Sequence, residues 1–451
     1  FDISFELSFA ATAGLLYIAP LLRKLKAFER IPAWLSGSLA ITVSAQLAVL
    51  PILARYFHVV SLSSLLANLL VVPVLEIIMV TALFAGIGAA LLPLAARFIL
   101  AADSLLLGAA YEMTRGLAQL PMSQVYLPPV SFGAAAVYYM CLCFFLQTGE
   151  RKNYLKEIIA GKRALVLAVV IFAFMAGEGI MYAFCPNEMS VHFIDVGQGD
   201  SALVITPHGR AFMIDTGGSR DASFDIGARV DVPYLLEHGI KHLDAIFLTH
   251  AHEDHASGAG GILKKIPVDT VVAANEGKAV YQASMRLSSS DMDKAVFASW
   301  PEGTEMILDG VRVEVLYAPK GEISKKTGNE LSNVYRVSYG DASFLFTGDL
   351  LKENEKELLR AHDVRSSVLK VGHHGSKTSS SEEFLAAAAP EWAVISVGYE
   401  NSFGHPSQET MQALERHGIK VYRTDCNGAV VFKTDGKSMQ VQAYRNAENA
   451  L

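Results

Sequence analysis

Two hydropathy regimes meet near residue 185. Before it, apolar runs recur at about residues 5–22, 33–54, 70–92, 126–147 and 164–184, each close to the roughly 20 residues that a helix needs to cross hydrocarbon. Two stretches break the rhythm. Residues 59–69 are interrupted by Ser61, Ser63 and Ser64 and lead to Pro73, which predicts a re-entrant half-helix with its broken end covered by protein or water. Residues 94–113 carry Arg97, Asp103 and Glu112 and read either as a pore-lining span or as an amphipathic helix in the interface. From Ser190 the pattern becomes strand, turn, strand: Val191 to Asp200, Ser201 to Ile205, then Ala211 to Gly218. Short apolar strands parted by Gly-rich turns announce a sheet. The chain is therefore read as a polytopic α-helical membrane region over 1–184 and a second, sheet-built domain over 185–451.

Composition sharpens this division. Of 451 residues, 51% are hydrophobic and 18% charged, with a mean hydropathy of +0.31, too apolar for an ordinary soluble enzyme. All but one of the 13 His lie in the second half. A net charge of -7 excludes a broadly basic surface, so any polyanion must be held by a local strip such as Lys264, Lys265, Lys320, Lys325 and Lys326. Cys141, Cys143, Cys185 and Cys426 have neither zinc-ribbon nor disulfide-framework spacing. The chain opens on Phe1, directly in an apolar segment, and is read as a fragment without its own N-terminus.

Charge also orients the membrane region. Arg23, Lys24, Lys26 and Arg30 follow the first run, whereas Arg151, Lys152, Lys156, Lys162 and Arg163 precede the last. Both loops should face the cytoplasm. The run at 164–184 then carries the chain outward and puts everything beyond it on the external face. Glu6, Gln46, Asn68, Glu76, Asp103 and Glu178 lie in or beside the apolar runs and should face a cavity or one another.

The chemistry is concentrated where strands end. Asp244-Ala245-Ile246-Phe247-Leu248 runs into Thr249-His250-Ala251-His252-Glu253-Asp254-His255. Two His at i and i+2 on extended backbone point to one side, and Asp254 and His255 can turn onto a second ion beside the first. Asp215, Asp349 and the pair His373-His374 each follow a further apolar strand, and such positions cluster at one edge of a sheet sandwich. The loop Ser376-Lys377-Thr378-Ser379-Ser380-Ser381 supplies hydroxyls, backbone N–H groups and a helix start, a candidate anion cradle. His405 is positioned to touch a phosphate oxygen or to protonate a leaving group.

The order Asp215, His250/His252/Asp254/His255, Asp349, His373-His374 resembles the metallo-β-lactamase superfamily, an αββα sandwich with a dinuclear metal site, over residues 190 to about 435. By that resemblance His250 and His252 hold the first ion, Asp254 and His255 the second, and Asp349 bridges them. Either His373 or His374 completes the second, and Asp215 ties the loops. Asp254 is then central to catalysis as well as to metal binding. One departure matters: the superfamily's further His before Asp349 is missing from Gly328-Asn329-Glu330-Leu331-Ser332-Asn333. Asn333 is expected to offer an amide oxygen in its place, or water to fill the position. Such an oxygen-rich set tilts preference from Zn²⁺ toward Mn²⁺.

Over the whole chain the sequence resembles the bacterial competence DNA-internalisation channel family, ComEC. The membrane half contributes Ser4-Phe5-Glu6-Leu7-Ser8-Phe9-Ala10, Gln46-Leu47-Ala48-Val49-Leu50-Pro51 and Ala67-Asn68-Leu69-Leu70-Val71-Val72-Pro73. The soluble half contributes Asp195-Val196-Gly197-Gln198-Gly199-Asp200, Gly372-His373-His374-Gly375-Ser376 and Gly404-His405-Pro406. That resemblance implies a multi-pass protein of the cell membrane that conducts single-stranded DNA. Its external, metal-dependent nuclease would meet double-stranded DNA and degrade the strand not imported. The lipid bilayer, other competence proteins and a second copy of the chain are the further expected partners. Two alternatives stay open: an anchored external phosphodiesterase with a non-DNA substrate, and a DNA channel whose metal domain binds DNA without cleaving it.

Overall fold

A computed structural model describes residues 3–145 and 188–445, less 26–27, 29, 31, 58, 119, 121–122, 127–129, 220, 222–223, 275–276 and 320–327. Two units, Phe1–Phe184 and Cys185–Leu451, divide the chain. In the first, the apolar runs form helices at Ile3–Arg23, with a π-turn over Gly14–Ile18, and at Ala33–Tyr56, Ser64–Gly88 and Pro93–Ala118. Among the described residues these four are long and apolar enough to cross a membrane, where a helix satisfies every backbone group without water. Small residues set the approach of the first two. A Cβ on Gly14 would fall 2.6 Å from the Ser44 carbonyl oxygen and 2.7 Å from Ala48 Cβ.

Two expectations change, at 59–69 and at 126–147. The stretch 59–69 is no re-entrant half-helix: β1 (Val59–Ser61) pairs antiparallel with β2 (Gln124–Tyr126), and from Ser64 one helix runs through Pro73 to Gly88. Proline removes a single hydrogen bond there, and such a loss is tolerated inside a membrane helix where neighbours re-satisfy the freed group. Residues 94–113 lie within one unbroken 26-residue helix. The run at 126–147 yields a shorter helix, Phe132–Phe145, of 14 residues; the run at 164–184, its basic flank and Glu178 fall outside the described residues. Among the polar residues, Asp103 accepts a hydrogen bond from Thr81 Oγ1 at 2.7 Å, and Gln46 donates to the Ser61 carbonyl at 3.3 Å and to Ser64 Oγ. Each of these two faces a neighbouring element, whereas Asn68 and Glu76 are exposed.

The second unit is built from two sheets. One has eight strands in the order β17-β16-β3-β4-β5-β6-β7-β8, where β3 is Met189–Phe193, β4 Ser201–Ile205, β5 Ala211–Thr216, β6 Leu243–Phe247, β7 Val268–Ala273, β8 Val296–Ser299, β16 Val430–Thr434 and β17 Met439–Ala443. The other has seven, β15-β14-β13-β12-β11-β10-β9, with β9 Glu305–Leu308, β10 Val311–Tyr317, β11 Val334–Tyr339, β12 Ala342–Phe346, β13 Val368–Lys370, β14 Trp392–Ile395 and β15 Lys420–Arg423. Alternate residues aim inward: Val191, Phe193, Phe212, Ile214 and Phe432 from one sheet share a core with Val313, Tyr335, Val337, Phe344 and Phe346 from the other. Each such side chain adds about 1.5–3 kcal/mol on burial. The outer face of the second sheet, through Leu345, Leu369, Ala393 and Ile395, packs with Leu358, Phe384, Leu385 and Leu414 of three helices. This is the expected sandwich.

Topology places the chemistry. Strands β5 to β8 run parallel, as do β12 to β15, so each set delivers the loops after its strands to one edge. Asp215 closes β5, His250 follows β6, Asp349 follows β12 and His373 follows β13. Gly348 makes the last approach possible. Its φ is +51°, and a Cβ there would meet Thr249 Cβ and Oγ1 at 2.7 Å.

Two predictions concern stability. Gly348→Ala is expected to cost about 1–3 kcal/mol through left-handed backbone strain and that contact, read as a lowered denaturant midpoint; an unchanged midpoint contradicts it. His192, buried on β3 and hydrogen-bonded to the Tyr234 and Ser190 hydroxyls at 2.9 Å each, is held to a pKa of about 3, by burial first and then by His238 and Lys433. Unfolding restores a value near 6.5, so the unfolded chain takes up a proton that the native chain refuses. The contribution of neutral His192 is complete above that value and is lost as pH falls toward 3. Unfolding followed from about pH 7 down to pH 4 should reveal falling stability, and His192→Gln should flatten the slope by up to about 1.4 kcal/mol per pH unit.

Candidate metal centre

The cassette after β6 is anchored from beneath. Asp215, at φ +54°, accepts hydrogen bonds from Thr249 N and Thr249 Oγ1, both at 2.8 Å, and from His255 Nδ1 at 2.9 Å. The short helix Glu253–Ala256 then turns Asp254 and His255 toward the other sheet. From that sheet come Asp349 and the His373-His374 pair. Both of these His have left-handed backbone, φ +50° and +52°, a costly conformation for non-glycine residues. Their consequence is divergence: the ring centroids stand 6.2 Å apart and the two rings serve different sides of Asp349.

Asp349 is the centre of the group. Its Oδ1 lies 3.1 Å from His255 Nε2 and 3.8 Å from His374 Nε2, and His374 Nε2 is 3.5 Å from Asp254 Oδ2. Its Oδ2 lies 3.5 Å from His373 Nε2 and 3.9 Å from His250 Nε2. Two overlapping donor sets result, Asp254/His255/His374 and His250/His255/Asp349, each with ligand atoms within 4.8 Å of one another. The Nε2 atoms of His250, His255 and His374 and the Oδ1 of Asp349 are buried and lack a hydrogen-bond partner among the described residues. Such orphans are costly in a native core, and three imidazole nitrogens with a carboxylate form a fitting donor set for a divalent transition ion. The opposite edges are held in place. His255 Nδ1 meets Asp215, and His374 Nδ1 meets the Ser396 carbonyl at 2.9 Å, leaving Nε2 free as a ligand.

Charge follows the same geometry. Burial opposes ionisation of His255 and His374, yet the surrounding carboxylates, Asp349 foremost, override it and raise both, His374 to about 9. Burial likewise works against the charged forms of Asp349 and Asp254, but the neighbouring imidazoles pull both below the usual carboxylate range. His250 goes the other way, lowered by burial and by His255.

The expected residues separate into groups. His250, Asp254, His255, Asp349 and His374 come together, with Asp215 beneath them. His252 is exposed at the mouth, its ring 4.6 Å from that of His250, and none of the close donor sets includes it. His405 stands in the same cleft, its ring 5.7 Å from His373 and stacked on Phe403. Asn333 points away from the group, donating to the Tyr335 hydroxyl at 3.2 Å. The amide at the cleft is Asn329, 3.4 Å from His373 Nε2 and with its own Oδ1 unpartnered. Spacing from the strand could not separate the two, because a 3-10 turn over Gly328–Leu331 swings one in and buries the other.

The hydroxyl loop is occupied from within. Ser376, Lys377 and Thr378 do not line the cleft; Thr378 Oγ1 lies 3.1 Å from His373 Nδ1 and 3.0 Å from Ser376 Oγ, and Lys377 is exposed. The N–H groups of Ser380 and Ser381 donate to the buried carboxylate of Glu355. Of the lysine strip, Lys264 is exposed and Lys265 half-buried, while Lys320, Lys325 and Lys326 lie outside the described residues. Asp200, quoted from the sequence only as part of a motif, and Lys370 have no expected place in the site; both are buried behind the histidines. A lone Lys in the apolar strand Val368-Leu369-Lys370-Val371 was the available signal.

Comparisons with known proteins agree with this architecture. The Competence protein family profile matches residues 1–152, and the Metallo-beta-lactamase superfamily profile matches residues 194–399. ComE operon protein 3 of Bacillus subtilis is 29% identical over 96% of this chain and 55% of its own length. Competence protein ComA of Neisseria gonorrhoeae is 35% identical over 57% of this chain and 34% of its own. Recombination protein 2 of Haemophilus influenzae is 32% identical over 56% and 30%. The chain thus spans about half or less of the length of these relatives. With one profile on each unit and a relative aligned across both, the chain carries a Competence protein domain followed by a metallo-beta-lactamase superfamily domain, and is similar over most of its length to competence proteins of the ComEC type.

Proposed function

We propose that Cys185–Leu451 is a metal-dependent phosphodiesterase on the external face of the cell membrane, acting as a nuclease on DNA during its uptake, and that Phe1–Phe184 is the membrane part through which a single strand passes. The observation that carries the enzymatic reading is the convergence of unpartnered His250, His255 and His374 Nε2 atoms on Asp349 beside an open cleft. The external placement rests on the two basic loops flanking the apolar runs, and the DNA substrate on the Competence protein domain and the likeness to competence proteins.

In this reading Asp254, His255, His374 and Asp349 would hold one ion, and His250, His373 and Asp349 would hold the other, with His252 next along the rim. A pair of Mn²⁺ or Zn²⁺ ions, when bound, supplies Lewis acidity toward water and toward the phosphodiester. The chain's own residues do the rest. Asp349 keeps the two donor sets in register, Asp215 and the Ser396 carbonyl fix the ring edges behind them, and the cleft of about 650 Å³ receives a phosphodiester between His252 and His405. His405, half-buried and free of the ion-facing cluster, is placed to pass a proton to the departing oxygen. His373 fills the side left open by the superfamily's missing His, with Asn329 beside it.

The test uses the full chain in detergent with Mn²⁺ or Zn²⁺, labelled single- and double-stranded DNA, and a small chromogenic phosphodiester. Wild-type protein should cleave DNA in a metal-dependent, strongly salt-sensitive manner. Asp254→Ala should abolish cleavage, and His405→Ala should lower kcat about 10²-fold with a smaller effect on KM. DNA added outside intact cells should be cut as well, which checks the side of the membrane. Equal cleavage by wild type and Asp254→Ala contradicts the assignment, and cleavage of the small ester without DNA redirects it to another phosphodiester.

A further inference from the structure

Behind the two rings assigned to the second ion lies a buried ion pair. Asp200 and Lys370 are 5% and 3% exposed, and their charged ends touch. The space around them is lined by Phe193, Ala202, Ile214 and Phe346 together with Ser201, Asp215 and Ser396, and Lys370 has no hydrogen-bond partner among the described residues besides that ionic contact. Isolating a pair in such surroundings costs several kcal/mol per ion before their attraction is counted, and apolar replacements are often as stable or more so. Stability alone gives little reason for these two side chains.

Their position supplies a reason. Asp200 Oδ1 stands 3.2 Å from His374 Nδ1, and Oδ2 stands 3.6 Å from His255 Nδ1. The hydrogen bonds of these two nitrogens go to Asp215 and to the Ser396 carbonyl, so Asp200 adds one negative charge shared by the rear edges of both rings, whose front nitrogens face Asp349 and Asp254. The two rings come from different sheets, His255 after β6 and His374 after β13, so Asp200 couples them across the sandwich. Its backbone is fixed on both sides: Asp200 N donates to the Asp254 carbonyl at 3.0 Å, and Asp200 O accepts from Gly217 N at 2.6 Å. Gly199 permits this approach, since a Cβ there would fall 2.4 Å from the Asp254 carbonyl oxygen. Lys370, on the strand that leads into His373-His374, pulls the carboxylate to the position from which it reaches both rings.

We propose that Asp200 and Lys370 are positioning residues for the second ion: Asp200 orients His255 and His374 together, and Lys370 holds Asp200 between them. This rests on the metal-binding reading given above. The pair also sets the charge that the site offers. With neutral imidazoles, Asp200, Asp215, Asp254 and Asp349 against Lys370 leave three negative charges, which two divalent cations convert to one positive charge, matched to a singly charged phosphodiester.

The experiment measures Mn²⁺ binding to the full chain in detergent by chelator competition, with electron paramagnetic resonance to distinguish coupled pairs from single ions and a melting curve of the metal-free protein. Variants are Asp200→Asn, Lys370→Met and both together. Each should weaken the hold on one of the two ions about 10–100-fold and replace the coupled signal by that of a single Mn²⁺. The double variant, free of an unpaired buried charge, should melt within a few degrees of wild type and still fail to regain the second ion. Affinities within about threefold of wild type for both ions overturn the proposal and leave the nuclease reading standing. Should Lys370→Met fail to fold, the isosteric Asp200→Asn decides alone. Wild-type protein that binds no Mn²⁺ removes the metal-binding reading itself, and the inference with it.

Discussion

A single buried carboxylate, Asp349, organises the second unit's chemistry. Four imidazoles surround it, His255 and His374 toward one oxygen and His250 and His373 toward the other. A carboxylate so enclosed by unpartnered ring nitrogens is unstable as a purely structural feature, because buried polar groups without partners carry a penalty of about 1–3 kcal/mol each. A cation between them removes several penalties together. The surrounding strain, including left-handed backbone at Asp215, His373 and His374, is the expected accompaniment of a functional site.

The sandwich exists, in this sense, to bring that carboxylate's neighbours to one edge. Half of them follow parallel strands of one sheet and half those of the other, so no single sheet could assemble the group. The apolar core between the sheets fixes the distance across which His255 and His374 meet. Substitutions deep in the core would therefore act on the metal centre through separation of the sheets, as well as through stability.

Much of this was legible in the chain. The apolar runs gave the helices, and the run of His and Asp after Leu248 gave the cassette, because strand ends and ligand types coincide in sequence. What escaped depended on geometry beyond a few residues. Asn329 and Asn333 are indistinguishable by type, and only the turn at Gly328–Leu331 decides which reaches the cleft. The different destinations of His373 and His374 arise from left-handed φ angles that neither residue favours. The hydroxyl loop promised an anion site, but Glu355, more than twenty residues earlier, already occupies its N–H groups. Pro73 suggested a break, yet the helix carries through it. Asp200 and Lys370 are separated by most of the domain, so their pairing is a product of topology alone.

The most direct measurement is anomalous scattering from crystals of the full chain grown with Mn²⁺. Two peaks flanking Asp349, one shared with Asp254, His255 and His374 and the other with His250 and His373, are the predicted result. Peaks confined to the separate cluster of His242, Asp244 and Asp269, or no ordered ion beside Asp349 at saturating Mn²⁺, would contradict it.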